Sequence, residues 1–382
     1  MIDRQVHVDL AVVTANTAAL CERVRGSQVM AVVKQDAYGH GAIPCARAAL
    51  AGGASWLGVA HIDEALALRQ AGLTAPILCL MAVPGEAHAE AIGAGIDLTA
   101  GSADHLDRLA AAARQAGKPA RVQLKADTGL SRGGAPRDQW PALMDAAAAA
   151  QAQGWIEVTA LWSHFACSDE PGHPSIGRQL TAFNEAIASA GKADISPELK
   201  HIANTAAALT VPESRYAMVR FGGALYGLST LPGGAPSWLR PAMTLKARLA
   251  MVKRVPAGTG VSYNYRYVTD RPTTLGLVPL GYADGIRRTA RNRTLVGCRG
   301  RRWPIAGTVC MDQFVVDFGD EPVAPGDEVV LFGPGDDGAP TAQDWGEALD
   351  TISYEITTGL GPRIPRTFNP NGLLSPPPDG DA

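Results

Sequence analysis

The sequence predicts an α/β protein: an N-terminal (β/α)₈ barrel of the TIM type, followed by a C-terminal, mostly-β domain. Three observations carry this reading. Between Val29 and Phe221, eight short apolar runs alternate with alanine-rich stretches. Each spacer between runs is long enough for one helix. After about residue 236, proline and glycine become dense, the helical period fades and short β-like runs take over.

The elements follow in order. Val29–Val33 is continuous and rich in valine, as suits a strand buried on both faces, and Lys34 ends it. Tyr38, Gly39 and Gly41 turn the chain into a helix over Ile43–Ala51. Counting Val29–Lys34 as the first, the remaining barrel strands are Trp56–Ala60, Ile77–Met81, Asp97–Ala100, Arg121–Asp127, Thr159–His164, Lys200–Asn204 and Ala217–Arg220. Helical spacers include Glu64–Arg69 and Ala103–Ala116. Pro232–Pro236 reads as a linker, so the barrel is expected over 1–236 and the second domain over 237–372. That domain should hold strands at Thr244–Val252, Thr274–Pro279, Phe314–Phe318 and Glu328–Phe332. A helix at Thr341–Leu349 and a short segment near Tyr354 close it. The tail from Pro370 is rich in Pro, Gly and Asp, and 373–382 are expected to be disordered.

Composition narrows the function classes. The chain has 382 residues, is 46% hydrophobic and carries a net charge of -3 with its charges scattered, which suits a globular protein and neither a nucleic-acid nor a membrane surface. Leu10–Leu20 is mildly apolar, but Thr14, Asn16 and Thr17 interrupt it, and it is too short to span a bilayer. Cys21, Cys45, Cys79, Cys167, Cys298 and Cys310 show no metal-ligand or disulfide spacing. A cytoplasmic protein with reduced thiols and no metal is expected.

A (β/α)₈ barrel builds its active site at the carboxyl ends of its strands. Those ends carry Lys34, Asp127, His164, Asn204 and Arg220. Five of eight strands thus deliver a polar or ionisable group to one rim, where chance would scatter them over both. Lys34 is the sharpest candidate. Desolvation at the mouth of a buried strand lowers an ammonium pKa and frees the amine for covalent carbonyl chemistry. Taken alone, each group has a plainer reading: a surface lysine, a salt-bridged arginine.

Their joint pattern resembles the alanine racemases, fold-type-III enzymes that use pyridoxal 5′-phosphate (PLP). The motifs are Ala31-Val32-Val33-Lys34 with Ala37-Tyr38-Gly39-His40-Gly41; Leu124–Gly129; Ser163-His164-Phe165-Ala166; Val219-Arg220-Phe221-Gly222; Val261-Ser262-Tyr263; Gly281-Tyr282-Ala283-Asp284-Gly285; Cys310-Met311-Asp312; and Tyr354-Glu355. The match runs over roughly residues 5 to 370. Their shared order and spacing make it specific.

The resemblance implies a role for each residue. Lys34 would hold PLP covalently and act as one catalytic base. Tyr38, Thr205, the amides of Gly222 and Gly223, and Tyr354 would bind the phosphate. Arg220 would face the pyridine nitrogen and, staying protonated, leave it unprotonated. Tyr263, from a partner subunit, would be the second base, with His164 between it and Arg220; Asn204 joins the cofactor site. A tyrosine with a pKa of about 10 needs a nearby cation to act near neutrality. Arg132 and the Met311 amide would bind the substrate carboxylate. Lys125, as a carbamate, would hold Arg132. Asp312 would support the Met311 loop and Tyr263, while Tyr282 and Ile352 would line the substrate path. The implied function is interconversion of L- and D-alanine by a homodimer, for peptidoglycan or for alanine catabolism.

Four positions depart from the family pattern. Asp36 stands where Asn is common, which would add a carboxylate near the cofactor. Thr205 stands for serine, Ser131 for glycine, and Gly223 for a larger aliphatic residue, which should open the phosphate loop. A broad-specificity amino-acid or serine racemase is the nearest rival. A PLP decarboxylase would pair the pyridine nitrogen with an acid, against Arg220. A non-catalytic PLP-binding barrel would lack the second domain.

Overall fold

The structure, a computed structural model, describes residues 3–81 and 83–369. The expected disordered tail, 373–382, lies outside the described residues.

Eight parallel strands form the barrel: β2 (Gln28–Val32), β3 (Trp56–Val59), β4 (Ile77–Cys79), β5 (Asp97–Ala100), β6 (Ala120–Lys125), β7 (Ile156–Trp162), β8 (Leu199–His201) and β9 (Met218–Phe221). Their order is β8-β7-β6-β5-β4-β3-β2-β9, so the seam falls between β8 and β9. It is bridged just past β8, where the Arg220 amide donates to the Ala203 carbonyl at 3.1 Å. β3, β5 and β9 are buried at every position, as strands covered by helices on one side and barrel interior on the other must be. The helices pack outside. Ser102 caps Ala103–Ala116 through the His105 amide, and Gly117, at φ 72, ends it in the left-handed conformation that glycine tolerates.

All eight expected strands form, most of them one to three residues off the expected ends. Asp97–Ala100 coincides. The second sheet has nine strands. It contains β1 (Arg4–Val8), β10 (Met243–Arg248), β11 (Met251–Val255), β14 (Thr273–Val278), β15 (Leu295–Cys298), β16 (Arg301–Ala306), β17 (Phe314–Asp317), β18 (Glu328–Phe332) and β19 (Arg366–Phe368). A small pair, β12 (Gly260–Val261) and β13 (Tyr267–Val268), stands apart. β10 alternates buried and half-buried residues, the period-2 pattern of a sheet with one covered face.

Two expectations change here. The single run Thr244–Val252 is two strands, because the chain crosses at Leu249–Ala250 from the β1/β18 side of the sheet to β14. The sheet therefore curls, since consecutive strands occupy distant places in its order. Residues 4–8, counted with the barrel from the sequence, pair with β10 and β19 of the second sheet instead. The chain is held on either side of Pro232–Pro236. Asn16 bonds the carbonyls of Leu225 and Arg240 and accepts the Arg240 amide, and Arg23 lies 3.5 Å over the Trp238 ring.

Among the described residues, no helix is long and apolar enough to cross a membrane.

Candidate active site

Lys34 follows β2 at the carboxyl rim, and the next four residues break a local rule. Gln35, Asp36, Ala37 and Tyr38 all have φ between 52° and 55°, a left-handed turn made without glycine. Such backbone costs about 1–2 kcal/mol per residue, so surrounding structure must hold it. Glu64 accepts the Gln35 amide at 2.5 Å with one oxygen and the amides of Ala60 and His61 with the other. Asp36 accepts the Ala42 amide at 2.7 Å, and Arg366, on β19, donates to the Gly39 carbonyl at 3.2 Å. Gly39 lies against the Thr357 carbonyl and leaves no room for a side chain. The Asp36 carboxylate thus caps a helix and faces Arg366 Nε at 3.9 Å.

Four cations meet at the rim. Burial is the main force pushing the Lys34 pKa down, and Arg132 and Arg220 push it further. The same influences take Lys125 down to about 8, with burial first. Lys125 Nζ sits 4.3 Å over the Trp162 ring. Arg220 is 4% exposed, and burial pushes it down to about 9, still protonated at neutrality. Its Nη2 bonds the Ser163 carbonyl at 2.9 Å, the Ile202 carbonyl at 3.1 Å and His164 Nδ1 at 2.9 Å. Burial, then Arg220, keeps His164 neutral, its pKa well below the usual histidine range. A guanidinium only donates, so His164 Nδ1 accepts and its Nε2 carries the proton.

The phosphate candidates converge separately. A side chain on Gly222 would strike the Tyr38 hydroxyl, and one on Gly223 would strike the Tyr354 ring. Tyr38 and Tyr354 pack edge to face at 5.4 Å. Burial raises both phenol pKa values, Tyr354 to about 12, so both stay neutral O–H donors. The loop expected to be open at Gly223 is therefore filled by Tyr354. A cradle of side-chain-free backbone and two neutral hydroxyls suits a phosphate, and the four cations of the rim suit an anionic substrate. The residues fit PLP on these grounds. Thr205 opens the helix Thr205–Thr210, while the Asn204 side-chain oxygen, Oδ1, accepts the Ala207 amide that it caps and the Ser168 hydroxyl.

Arg132 rides on a pinned loop. Asp127 accepts the amides of Gly129 and Ser131, and Ala135 bonds back to Lys125 and Asp127. Ser131, in place of glycine, keeps a left-handed φ of 56°.

Tyr263, Tyr282, Met311 and Asp312 form a second group on the β domain. Thr308 Oγ1 bonds the Tyr263 carbonyl, and the Ala283 amide bonds the Met311 carbonyl. Tyr263 is 65% exposed, and Met311 and Tyr282 are exposed as well. Ser262, Asn264 and Tyr265, on either side of Tyr263, all have positive φ, which strains the loop that carries it. The Asp312 carboxylate pairs with Arg363 at 2.9 Å, rather than with Tyr263. Among the described residues, no hydrogen bond joins this group to the barrel rim.

Sequence reading missed Glu64, Arg366, Trp162, Gln123 and His201. The last two were visible in the sequence as polar residues next to apolar ones, Val122-Gln123-Leu124 and His201-Ile202.

Comparison with known proteins follows the same division. Residues 8–230 match the family described as "Alanine racemase, N-terminal domain", and residues 242–368 match "Alanine racemase, C-terminal domain". An alanine racemase of Thermobifida fusca (strain YX) is 57% identical over 364 residues, covering 95% of this chain and 97% of that protein. A crystal structure of alanine racemase from D-cycloserine producing Streptomyces lavendulae superposes with a TM-score of 0.95 at 52% identity, covering 97% of each chain. One from Bacillus anthracis with bound L-Ala-P gives a TM-score of 0.89 at 33% identity, covering 97% of this chain and 96% of that one.

Proposed function

The chain belongs to the alanine racemase family of isomerases, and on that premise we propose that it interconverts L- and D-alanine by a two-base mechanism with PLP held on Lys34. The observation that carries this is the rim itself: a desolvated lysine beside a buried arginine, next to a two-glycine, two-tyrosine cradle. PLP, when bound, supplies the electron sink that makes the α-proton of an amino acid removable. Lys34 takes or returns a proton on one face. Tyr263 of a partner subunit serves the other. Its phenolate is stabilised by the neutral His164 N–H, which Arg220 orients through Nδ1. Tyr38, Thr205, Gly222, Gly223 and Tyr354 hold the phosphate, with Asn204 shaping the helix start beneath it. Arg132 and the Met311 amide hold the substrate carboxylate; Tyr282 borders the access path, and Asp312 steadies the Met311 loop through Arg363.

We place the domain boundary near residue 236, with a barrel domain over 1–236 and a β domain over 237–372, to which residues 4–8 return. The composite site implies a homodimer. The expected setting is the cytoplasm, feeding D-alanine to peptidoglycan or running alanine catabolism. A wider amino-acid range is the alternative, and one measurement tests both. Purified protein with PLP is given a panel of L-amino acids, and D-products are separated on a chiral column. Conversion of alanine well above all others supports the proposal; comparable rates on several amino acids support the alternative. No D-product at all sinks both.

Arg220 supplies a second prediction. Arg220, protonated at neutrality, would face the pyridine nitrogen, and a cation there would weaken the electron sink and so limit side reactions. Arg220→Glu should raise pyruvate release relative to D-alanine formation. Equal ratios in both proteins would refute that role.

Lys125 supplies a third. Only the free amine adds to carbon dioxide. With its pKa lowered from 10.5 to about 8, that form grows from a minority at pH 7 to a majority at pH 9. The product anion would sit among Arg220, Arg132 and Lys34. Under ¹³C-bicarbonate, a carbamate NMR signal should appear and strengthen from pH 7 to 9, and vanish in Lys125→Ala. A spectrum with no such signal at either pH rules the modification out.

A further inference from the structure

Resting on that reading of Arg220, we propose that Asp97, Gln123 and His201 are positioning residues that fix Arg220 from across the barrel interior. Arg220 has an unusual problem. It is a buried cation whose side-chain partners, among the described residues, are all neutral: two carbonyls and two imidazole nitrogens. A buried charge normally requires an opposite charge.

The opposite charge lies three residues away along a single line of hydrogen bonds. Arg220 Nη1 meets His201 Nδ1 at 2.7 Å. His201 Nε2 meets Gln123 Oε1 at 2.9 Å. Gln123 Nε2 donates to Asp97 Oδ2 at 3.1 Å. All four side chains are at most 4% exposed. Asp97 also accepts Thr159 Oγ1 at 2.7 Å and Arg121 Nε at 2.7 Å, and Arg121 reaches toward exposed Glu157 at the amino mouth of the barrel.

The line has only one consistent proton arrangement. Arg220 can only donate, so His201 Nδ1 accepts and the proton sits on Nε2. That N–H must donate to the Gln123 carbonyl, which turns the Gln123 amide toward the Asp97 carboxylate. Burial and Arg220 both hold His201 in its neutral form. Its ring stacks on Trp162 at 5.6 Å and 11°, and Trp162 also lies 5.1 Å from the Arg220 guanidinium, so the imidazole cannot turn freely.

The backbone is bent to suit. The β6–β7 register shifts between Val122 and Gln123, leaving Thr159 as the extra residue on β7. This bulge coincides with the step at which Gln123 and Thr159 both reach Asp97. Bulges re-aim side chains beside functional sites. A polar line that is satisfied at every link holds one geometry, whereas a partly satisfied one would be costly. Asp97 therefore polarises His201 toward Arg220 without touching the cofactor site.

The test reads the line with and without catalysis. Imidazole ¹⁵N NMR on the cofactor-free chain should find His201 neutral, with its proton on Nε2. Asp97→Asn removes the remote charge at constant shape, and Gln123→Leu removes the bridge at constant charge; both should move the His201 signals. In the PLP-loaded enzyme, both should lower the ratio of racemisation to half-transamination about tenfold. In that side reaction alanine's amino group stays on the cofactor and hydrolysis releases pyruvate. Thr159→Val, which costs Asp97 a hydrogen bond but keeps its charge, should leave the ratio alone. A wild-type His201 protonated on Nδ1 overturns the proposal, even if both variants fail to fold. So do unchanged signals and ratios in folded Asp97→Asn and Gln123→Leu. A chain that forms no D-alanine refutes the racemase reading instead, while the tautomer still reports on the line.

Discussion

Replacing Lys34 with alanine is expected to give a folded, colourless protein that neither retains PLP nor turns over alanine, with activity down by at least about 10⁴-fold. The folded state should survive for an electrostatic reason. Lys34 is one of four cations at the rim, and its pKa is depressed by burial, Arg132 and Arg220. A group with a lowered folded pKa binds fewer protons in the native chain than in the unfolded one, so native stability rises with pH up to the unfolded value near 10.5. Below that window the buried ammonium is a net cost. Lys34→Ala removes it, so the cofactor-free variant should melt no lower than the cofactor-free parent. The parent should also gain more stability than the variant on going from pH 7 to 10. Absorbance near 420 nm, chiral turnover and melting at two pH values check the whole expectation. A variant that stays yellow after gel filtration would remove Lys34 from its assigned place.

What the sequence made legible was whatever local chemistry alone can enforce. Fully apolar runs such as Val29–Val32 have few alternatives to a buried strand, and the Ser102-to-Gly117 segment carries its own start and stop signals. Motif residues at strand ends inherited their rim position from the barrel. Features set by distant partners stayed hidden. Nothing within Gln35–Tyr38 announces left-handed backbone, because no glycine is present; the turn is imposed by Glu64 from the next βα unit and by Arg366 from the far end of the chain. β1 and β19 were invisible for the same reason: each is short and half-buried, and each pairs with strands more than two hundred residues away or with the other. The β15–β16 hairpin did carry a local cue. Arg299 and Gly300, both with positive φ, form its two-residue turn, but the charged pair Arg301-Arg302 and Pro304 disguised the second strand. Polar residues inside strands were the costliest omission, since Gln123 and His201 look like blemishes until their partners are known.

Tyr263→Phe is expected to reduce racemisation by about 10²–10⁴-fold, the usual worth of one general acid–base group, while PLP stays bound. The residue is 65% exposed on a strained loop, so loss of one hydroxyl should leave folding intact. Its exposure is also the puzzle, because a proton carrier left in bulk water would gain nothing from the site. A partner subunit that covers Tyr263 would resolve it, and a mixing experiment tests that directly. Lys34→Ala and Tyr263→Phe chains are each inactive. Suppose Tyr263 acts across the interface. In a hybrid dimer, the site with an intact Lys34 then receives an intact Tyr263 from the Lys34→Ala partner, and the other site collects both defects. Random reassociation makes half the dimers hybrid, each with one working site of two, so the mixture should recover about a quarter of parental activity. If Tyr263 instead serves the lysine of its own chain, every site in every dimer lacks one base, and mixing recovers nothing. Recovery should grow with the time allowed for subunit exchange and disappear when the dimers are cross-linked before mixing. A mixture that stays dead after demonstrated exchange would return Tyr263 to its own barrel and leave its exposure without a catalytic reason.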